Sequence, residues 1–132
     1  MQAFLVELEN KPGAFARVAE AIAAKGVNIT GVSGSTCGDS GRAAIMTSDD
    51  AMTRTALGEA KATFTEMEAT DTALRNEPGS LAKATRRLAD ENINVEAIMP
   101  IGMQGNEVHV AFVTNDAARA RDVLSAAGMA SR

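Results

Sequence analysis

Leu8-Glu9-Asn10-Lys11-Pro12-Gly13 returns 66 residues later as Leu74-Arg75-Asn76-Glu77-Pro78-Gly79. The same offset continues downstream without a gap. Ala16 meets Ala82, Ile22 meets Leu88, Ala23 meets Ala89 and Asn28 meets Asn94, and seven of the 22 positions from 8 to 29 are identical. Self-similarity at a fixed period marks a duplicated structural unit. The offset is half of the 132 residues, so the chain reads as unit 1–67 followed by unit 68–132. No Gly/Ser-rich linker separates them, which predicts units packed on each other.

Within a unit the hydrophobic period changes in a readable order. Residues 3–9 alternate Phe4, Val6 and Leu8 against Leu5, Glu7 and Glu9, the pattern of a strand. Pro12-Gly13 breaks it. Phe15, Val18, Ala19 and Ile22 then follow the spacing of an amphipathic helix. Gly26 closes that helix, and its counterpart is Asn92. These are the two residue types that best tolerate a left-handed C-terminal cap. Residues 28–36 and 41–47 read as a hairpin, as do 94–103 and 107–114, the second with Gly105-Asn106 at its turn. Ser48-Asp49-Asp50 and Thr114-Asn115-Asp116 supply caps for a second helix. Short strands near 62–67 and 128–131 complete each unit.

Each unit is thus β-α-β-β-α-β, an α+β ferredoxin-like sandwich with an antiparallel sheet and helices on one face. The expected strand order is 4-1-3-2, which leaves the second strand on an edge open to pairing with a like edge. Two units paired this way would make one eight-stranded sheet. Alanine fills about a fifth of the chain, so cores are thin and self-association is expected, most simply as a homodimer.

Composition removes several functional classes. No apolar run approaches the ~20 residues of a membrane span. The N-terminus lacks a basic segment followed by an apolar one, so the expected compartment is the cytoplasm. Net charge is −4, with 6 basic and 8 acidic groups in residues 1–66 and 7 and 9 in the remainder. With no Trp, no Tyr and four Phe, platforms for stacking bases are scarce, and nucleic acid is not an expected partner. One cysteine, Cys37, and one histidine, His109, leave no internal disulfide and no Cys/His metal set. No cofactor, no metal and no catalytic residue is expected. His109 lies on the strand face opposite Val108, Val110 and Phe112 and is expected to be half-exposed. Cys37 is placed in a polar turn, Glu66, Glu68, Arg86 and Arg87 in solvent, and Met99 and Met103 in the core or lining an adaptable apolar pocket.

N-x-P-G after the first strand, followed at a Pro-to-Asn spacing of 16 by Val-Asn-Ile or Ile-Asn-Val, resembles the ACT domain, here as two tandem copies. The resemblance implies a regulatory, allosteric module that binds an amino acid between paired domains and acts on a metabolic enzyme. It also implies where the ligand sits. One wall is Asn10, Pro12, Gly13, Ala14 and Phe15, or Asn76, Pro78, Gly79, Ser80 and Leu81. The other is Asn28 or Asn94 of the neighbouring domain. Physical chemistry favours the same residues. A helix N-terminus behind Pro-Gly attracts a carboxylate, glycine lets a ligand approach the backbone, and Asn both donates and accepts. Asn10 and Asn76 read equally as turn residues. Some serine-binding members carry His two residues before the loop Asn, where this chain has Leu8 and Leu74. Two alternatives stay open: an association module without ligand, and an acylphosphatase-like enzyme, which would need an arginine inside the loop, whereas Arg17 and Arg75 lie outside it.

Overall fold

Phe4, Val6 and Leu8 lie on β1 (Gln2–Glu9) and face the helices, where Phe4 and Val6 are fully buried. The computed structural model describes residues 1–129. The chain divides into two compact units, Gln2–Met67 and a second from Glu68 onward together with Met1.

In the first unit β1 is followed by α1 (Ala14–Ala23), β2 (Ile29–Cys37), β3 (Ser40–Thr47) and α2 (Asp50–Glu59), and it ends in the first residues of β4 (Phe64–Arg75). β3 lies antiparallel between β1 and β2, with Phe4 and Val32 both opposite Ile45. The strand order is β2-β3-β1, with β4 on the other side of β1. Val18 and Ile22 of α1 and Ala56 and Leu57 of α2 close over Phe4, Val6 and Ile45. The second unit repeats the plan. β4 is followed by α3 (Ser80–Asp90), β5 (Val95–Gln104), β6 (Glu107–Thr114) and α4 (Ala117–Ala126), in the order β4-β6-β5. Its core joins Leu74, Ala84, Leu88, Phe112, Ala120 and Leu124.

The helix ends follow the residues at them. Asp49 and Asp116 cap α2 and α4, accepting from the Met52 and Arg119 amides at 3.0 and 3.1 Å. All four helices stop at a residue with positive φ: Gly26 (73°), Lys61 (58°), Asn92 (57°) and Gly128 (77°). Each unit therefore uses one glycine and one residue with a side chain at this position.

Several expectations are corrected. The expected eighth strand is not described: Gly128 and Met129 form no strand, and residues 130–131 lie outside the described residues. The last strand of the first unit and the first of the second are one strand, β4, because no Gly or Pro interrupts Phe64–Arg75. The described residues thus hold six strands rather than eight, and β2 and β5 each pair with one neighbour. Cys37 closes β2, exposed, ahead of a Gly38-Asp39 turn. Met99 is fully buried, whereas Met103 is 64% exposed near the tip of its hairpin. His109 is buried, not half-exposed, because Ala111 and Val113 on the same strand face are buried too. Its Nδ1 lies 3.4 Å from the carboxylate of buried Asp71. Asp71 sits opposite Ala111 on β4, which makes it the diagonal neighbour of His109.

Two glycines should respond oppositely to alanine. A Cβ at Gly41 would sit 2.3 Å from the Ser35 carbonyl oxygen, whereas one at Gly58 in α2 meets nothing within 4 Å. Gly41→Ala should destabilise by about 1–3 kcal/mol, as overpacking does. Gly58→Ala should stabilise by about 0.5–1 kcal/mol. Urea unfolding of both variants checks the pair.

Candidate functional site

The turn after β1 is built by Pro12 and Gly13. Gly13 has φ 87° at the N-cap of α1, and Gly79 has φ 90° at the N-cap of α3. Neither helix has a side-chain cap, and neither carries an acid in its first turn. The Ala14 amide donates to the Lys11 carbonyl at 3.3 Å, and the Ser80 amide to Glu77 at 3.4 Å. The helical ladder begins with Arg17 to Gly13 and Lys83 to Gly79. Between them the amides of Phe15, Ala16, Leu81 and Ala82 have no acceptor among the described residues. α1 and α3 thus leave the amides of their second and third positions free with no acid beside them, while in α2 and α4 an aspartate accepts from the third-position amide.

The two loops differ in detail. Asn10 donates from Nδ2 to the Gly38 carbonyl at 2.8 Å, which ties the loop to the β2–β3 turn. The carboxamide of Asn76 has no such bond among the described residues; its backbone N–H reaches the Asn106 carbonyl at 2.8 Å. The strand starts show the reverse. Asn28 is exposed with a free carboxamide, held only through its backbone to Ser48, whereas Asn94 donates to Glu96 at 3.1 Å. Phe15 packs against the core, and its counterpart Leu81 is 46% exposed.

Within a unit the structure does not bring the two predicted walls together. Glu9 pairs with Ser40, which pairs with Cys37, so the Asn10 loop lies at the hairpin end of the sheet. Asn28 precedes the far end of β2, nine residues long, which is about 30 Å of extended chain. Asn10 and Asn28 of one unit cannot hold one small ligand.

Beside the first loop opens a cleft of about 840 Å³. Leu8, Lys11, Ala14 and Arg17 form one side, the hairpin residues Ser35, Cys37 and Arg42 another, and residues 60–63 a third. The sequence reading missed Arg42 and Lys61. Their signal lies in the hairpin, where the repeat offset changes from 66 to 67 and an ungapped comparison misaligns them.

Of the charged residues placed in solvent, Glu66 and Glu68 are half-buried, and these two and Arg86 form ion pairs. Arg54 donates Nε to Glu66 at 2.8 Å, with a second bond from Nη2, and this holds the Glu66 carboxyl below the usual range. Glu68 meets the N-terminal ammonium at 3.0 Å, and Arg86 meets Asp90 at 3.6 Å. Among the described residues no group of three His, Cys, Asp or Glu side chains could hold a metal ion, and no helix is long and apolar enough to cross a membrane.

The uncapped glycine turn recurs at the same place in both units, the first of which runs β-α-β-β-α-β. Residues 3–65, the first unit, match the family described as ACT domain. No curated protein matches the chain. Among solved structures, a protein of Bacteroides thetaiotaomicron superposes with a TM-score of 0.84 at 21% identity, covering 99% of this chain and 90% of its own. The ligand-free regulatory subunit of aspartate kinase from Thermus thermophilus gives 0.68 at 17%, covering 95% and 89%. The corresponding subunit from Thermus flavus gives 0.62 at 18%, covering 96% and 90%. These superpositions show a shared fold.

The asparagines should separate in a stability assay. Asn10→Ala loses the bond to Gly38 and should cost about 0.5–1.5 kcal/mol. Asn28→Ala removes no contact and should stay within about 0.5 kcal/mol of the parent. Chemical denaturation of the two variants reads the difference.

Proposed function

We propose that the chain is a non-catalytic regulatory protein, two tandem ACT-like domains at 1–67 and 68–132, that binds an amino acid between paired domains and transmits its presence to a metabolic enzyme. The observation that carries this reading is the pair of helix N-termini behind Gly13 and Gly79 that have no side-chain cap and no acid in the first turn, in contrast to α2 and α4, whose N-termini are capped by Asp49 and Asp116. Free N–H groups and the helix dipole suit a carboxylate. The free carboxamides of Asn28 and Asn76 offer a donor and an acceptor for an ammonium and a carboxylate. The match of residues 3–65 supports the reading, since ACT domains bind small molecules such as amino acids. Two structures of like fold are regulatory subunits of aspartate kinase, and an amino-acid signal to an enzyme is the corresponding proposal here.

Because one unit separates its loop from its own Asn28, the ligand needs a loop and a strand start from different units. The unpaired edge of β2 supports a homodimer as the means of supplying them. The bonds from Asn10 to Gly38 and from Asn94 to Glu96 favour a second reading, in which these residues only shape the loops and the domains serve association alone.

A thermal-shift screen against the common amino acids separates the two. Binding of one of them, weakened about ten- to a hundredfold by Asn28→Ala or Asn76→Ala in calorimetry, is the expected result. A chain that responds to none is an association module. Light scattering should report twice the 13.7 kDa chain mass, and a persistent monomer with and without ligand removes the paired-domain reading.

A further inference from the structure

The charges of the first unit are sorted in space. Residues 1–66 contain six Lys and Arg and eight Asp and Glu. Four of those six cations, Lys11, Arg17, Arg42 and Lys61, line the cleft beside the first loop, with only Glu7 and Glu9 of the acids. The other two cations are neutralised elsewhere, Lys25 by Glu59 at 2.7 Å and Arg54 by Glu66. Lys11 meets Glu9 at 2.7 Å. Arg17, Arg42 and Lys61 form no ion pair or side-chain hydrogen bond among the described residues. The Glu9 carboxyl is held below its usual range, first by the Lys11 hydrogen bond and charge and then by Arg17, so it stays ionised beside these cations.

The second copy, which keeps a cation only at the counterpart of Arg17, shows that the fold does not require the other three. Through the strand register Arg42 corresponds to His109, because Glu7 faces Arg42 as Ala73 faces His109. Lys11 corresponds to Glu77 and Arg17 to Lys83. Lys61 occupies the left-handed helix stop that the second unit gives to Gly128. A lysine at φ 58° carries a strain that glycine avoids, in a residue whose side chain is otherwise unpartnered. Unpaired cations held together in a chain of net charge −4 leave a local excess for which the protein supplies no counter-charge.

We propose that this cleft is a binding site for a small dianion, a phosphate monoester or a dicarboxylate, gripped by Arg17, Arg42 and Lys61. Four cations less two carboxylates leave the lining at +2, the charge a dianion cancels. The volume of about 840 Å³ accommodates a metabolite-sized molecule carrying that group. The site does not rest on the amino-acid reading: its residues come from one unit and include neither Asn28 nor Asn76.

The test is calorimetry on the full chain with inorganic phosphate and, separately, with succinate. At least one should bind with a dissociation constant of about 1 mM or tighter, more weakly as salt is raised. The tighter of the two identifies the source of the charge. Arg42→Gln and Lys61→Gly should each weaken binding about tenfold. Lys25→Gln, which removes an equal charge outside the cleft, should leave it unchanged. Lys61→Gly also relieves the left-handed strain, so its melting temperature should rise while binding falls, which separates loss of the site from loss of the fold. Absence of binding by both anions, affinity unaltered in Arg42→Gln and Lys61→Gly, or an equal loss in Lys25→Gln overturns the inference.

Discussion

Gly13 and Gly79 hold backbone angles that a residue with a Cβ adopts only at a cost of about 1–2 kcal/mol, and much of each unit follows from them. The turn they form carries the chain directly from a buried strand into a helix. Val18 and Ile22, or Ala84 and Leu88, therefore arrive over the sheet after a loop of only four residues. The same angle puts glycine at the N-cap, where serine or aspartate would otherwise sit, so the second and third amides of the helix stay open. Packing and binding chemistry share one constraint. The Pro-Gly turn cannot be altered for either purpose without disturbing the other.

Features fixed by local chemistry were the ones readable from residues alone. The N-x-P-G turn, the helix stripes, the aspartate caps and the exchange of Gly26 for Asn92 each depend on a few adjacent side chains. Features fixed by neighbours in space were not. Nothing local distinguishes two short strands from the single strand Phe64–Arg75; the absence of a breaker was the only sign. The burial of His109 depends on what covers a sheet face, to which alternation is blind. The partner that occupies its Nδ1, Asp71, is 38 residues away in sequence. Of the candidate site, the loops were legible because they repeat. The grouping of Arg42 and Lys61 was not, because a one-residue change in the hairpin hides their counterparts.

The two units show how far duplicated backbones diverge in chemistry without changing shape. The sheet face that carries Arg42 in the first unit carries His109 with Asp71 in the second. The loops hold their asparagines differently, and the strand starts reverse that difference. Each unit places one side chain at a helix stop where its copy has glycine. The conserved set is what the fold needs, the turn glycines and the apolar stripes. The variable set includes the loops and one sheet face, exposed at Arg42 in the first unit and buried at His109 and Asp71 in the second.

The open first turns also have a kinetic reading. An amide that lacks an acceptor in the native state needs no opening event before it exchanges with solvent deuterium. Phe15, Ala16, Leu81 and Ala82 are such positions, whereas Met52 and Arg119, bound to their aspartate caps, are protected at the equivalent place in α2 and α4. At the third helical position exchange should therefore be fast in α1 and α3 and slow in α2 and α4. The amides silent in the static hydrogen-bond network become its most responsive reporters, because any acceptor that docks on them converts unprotected sites into slow ones.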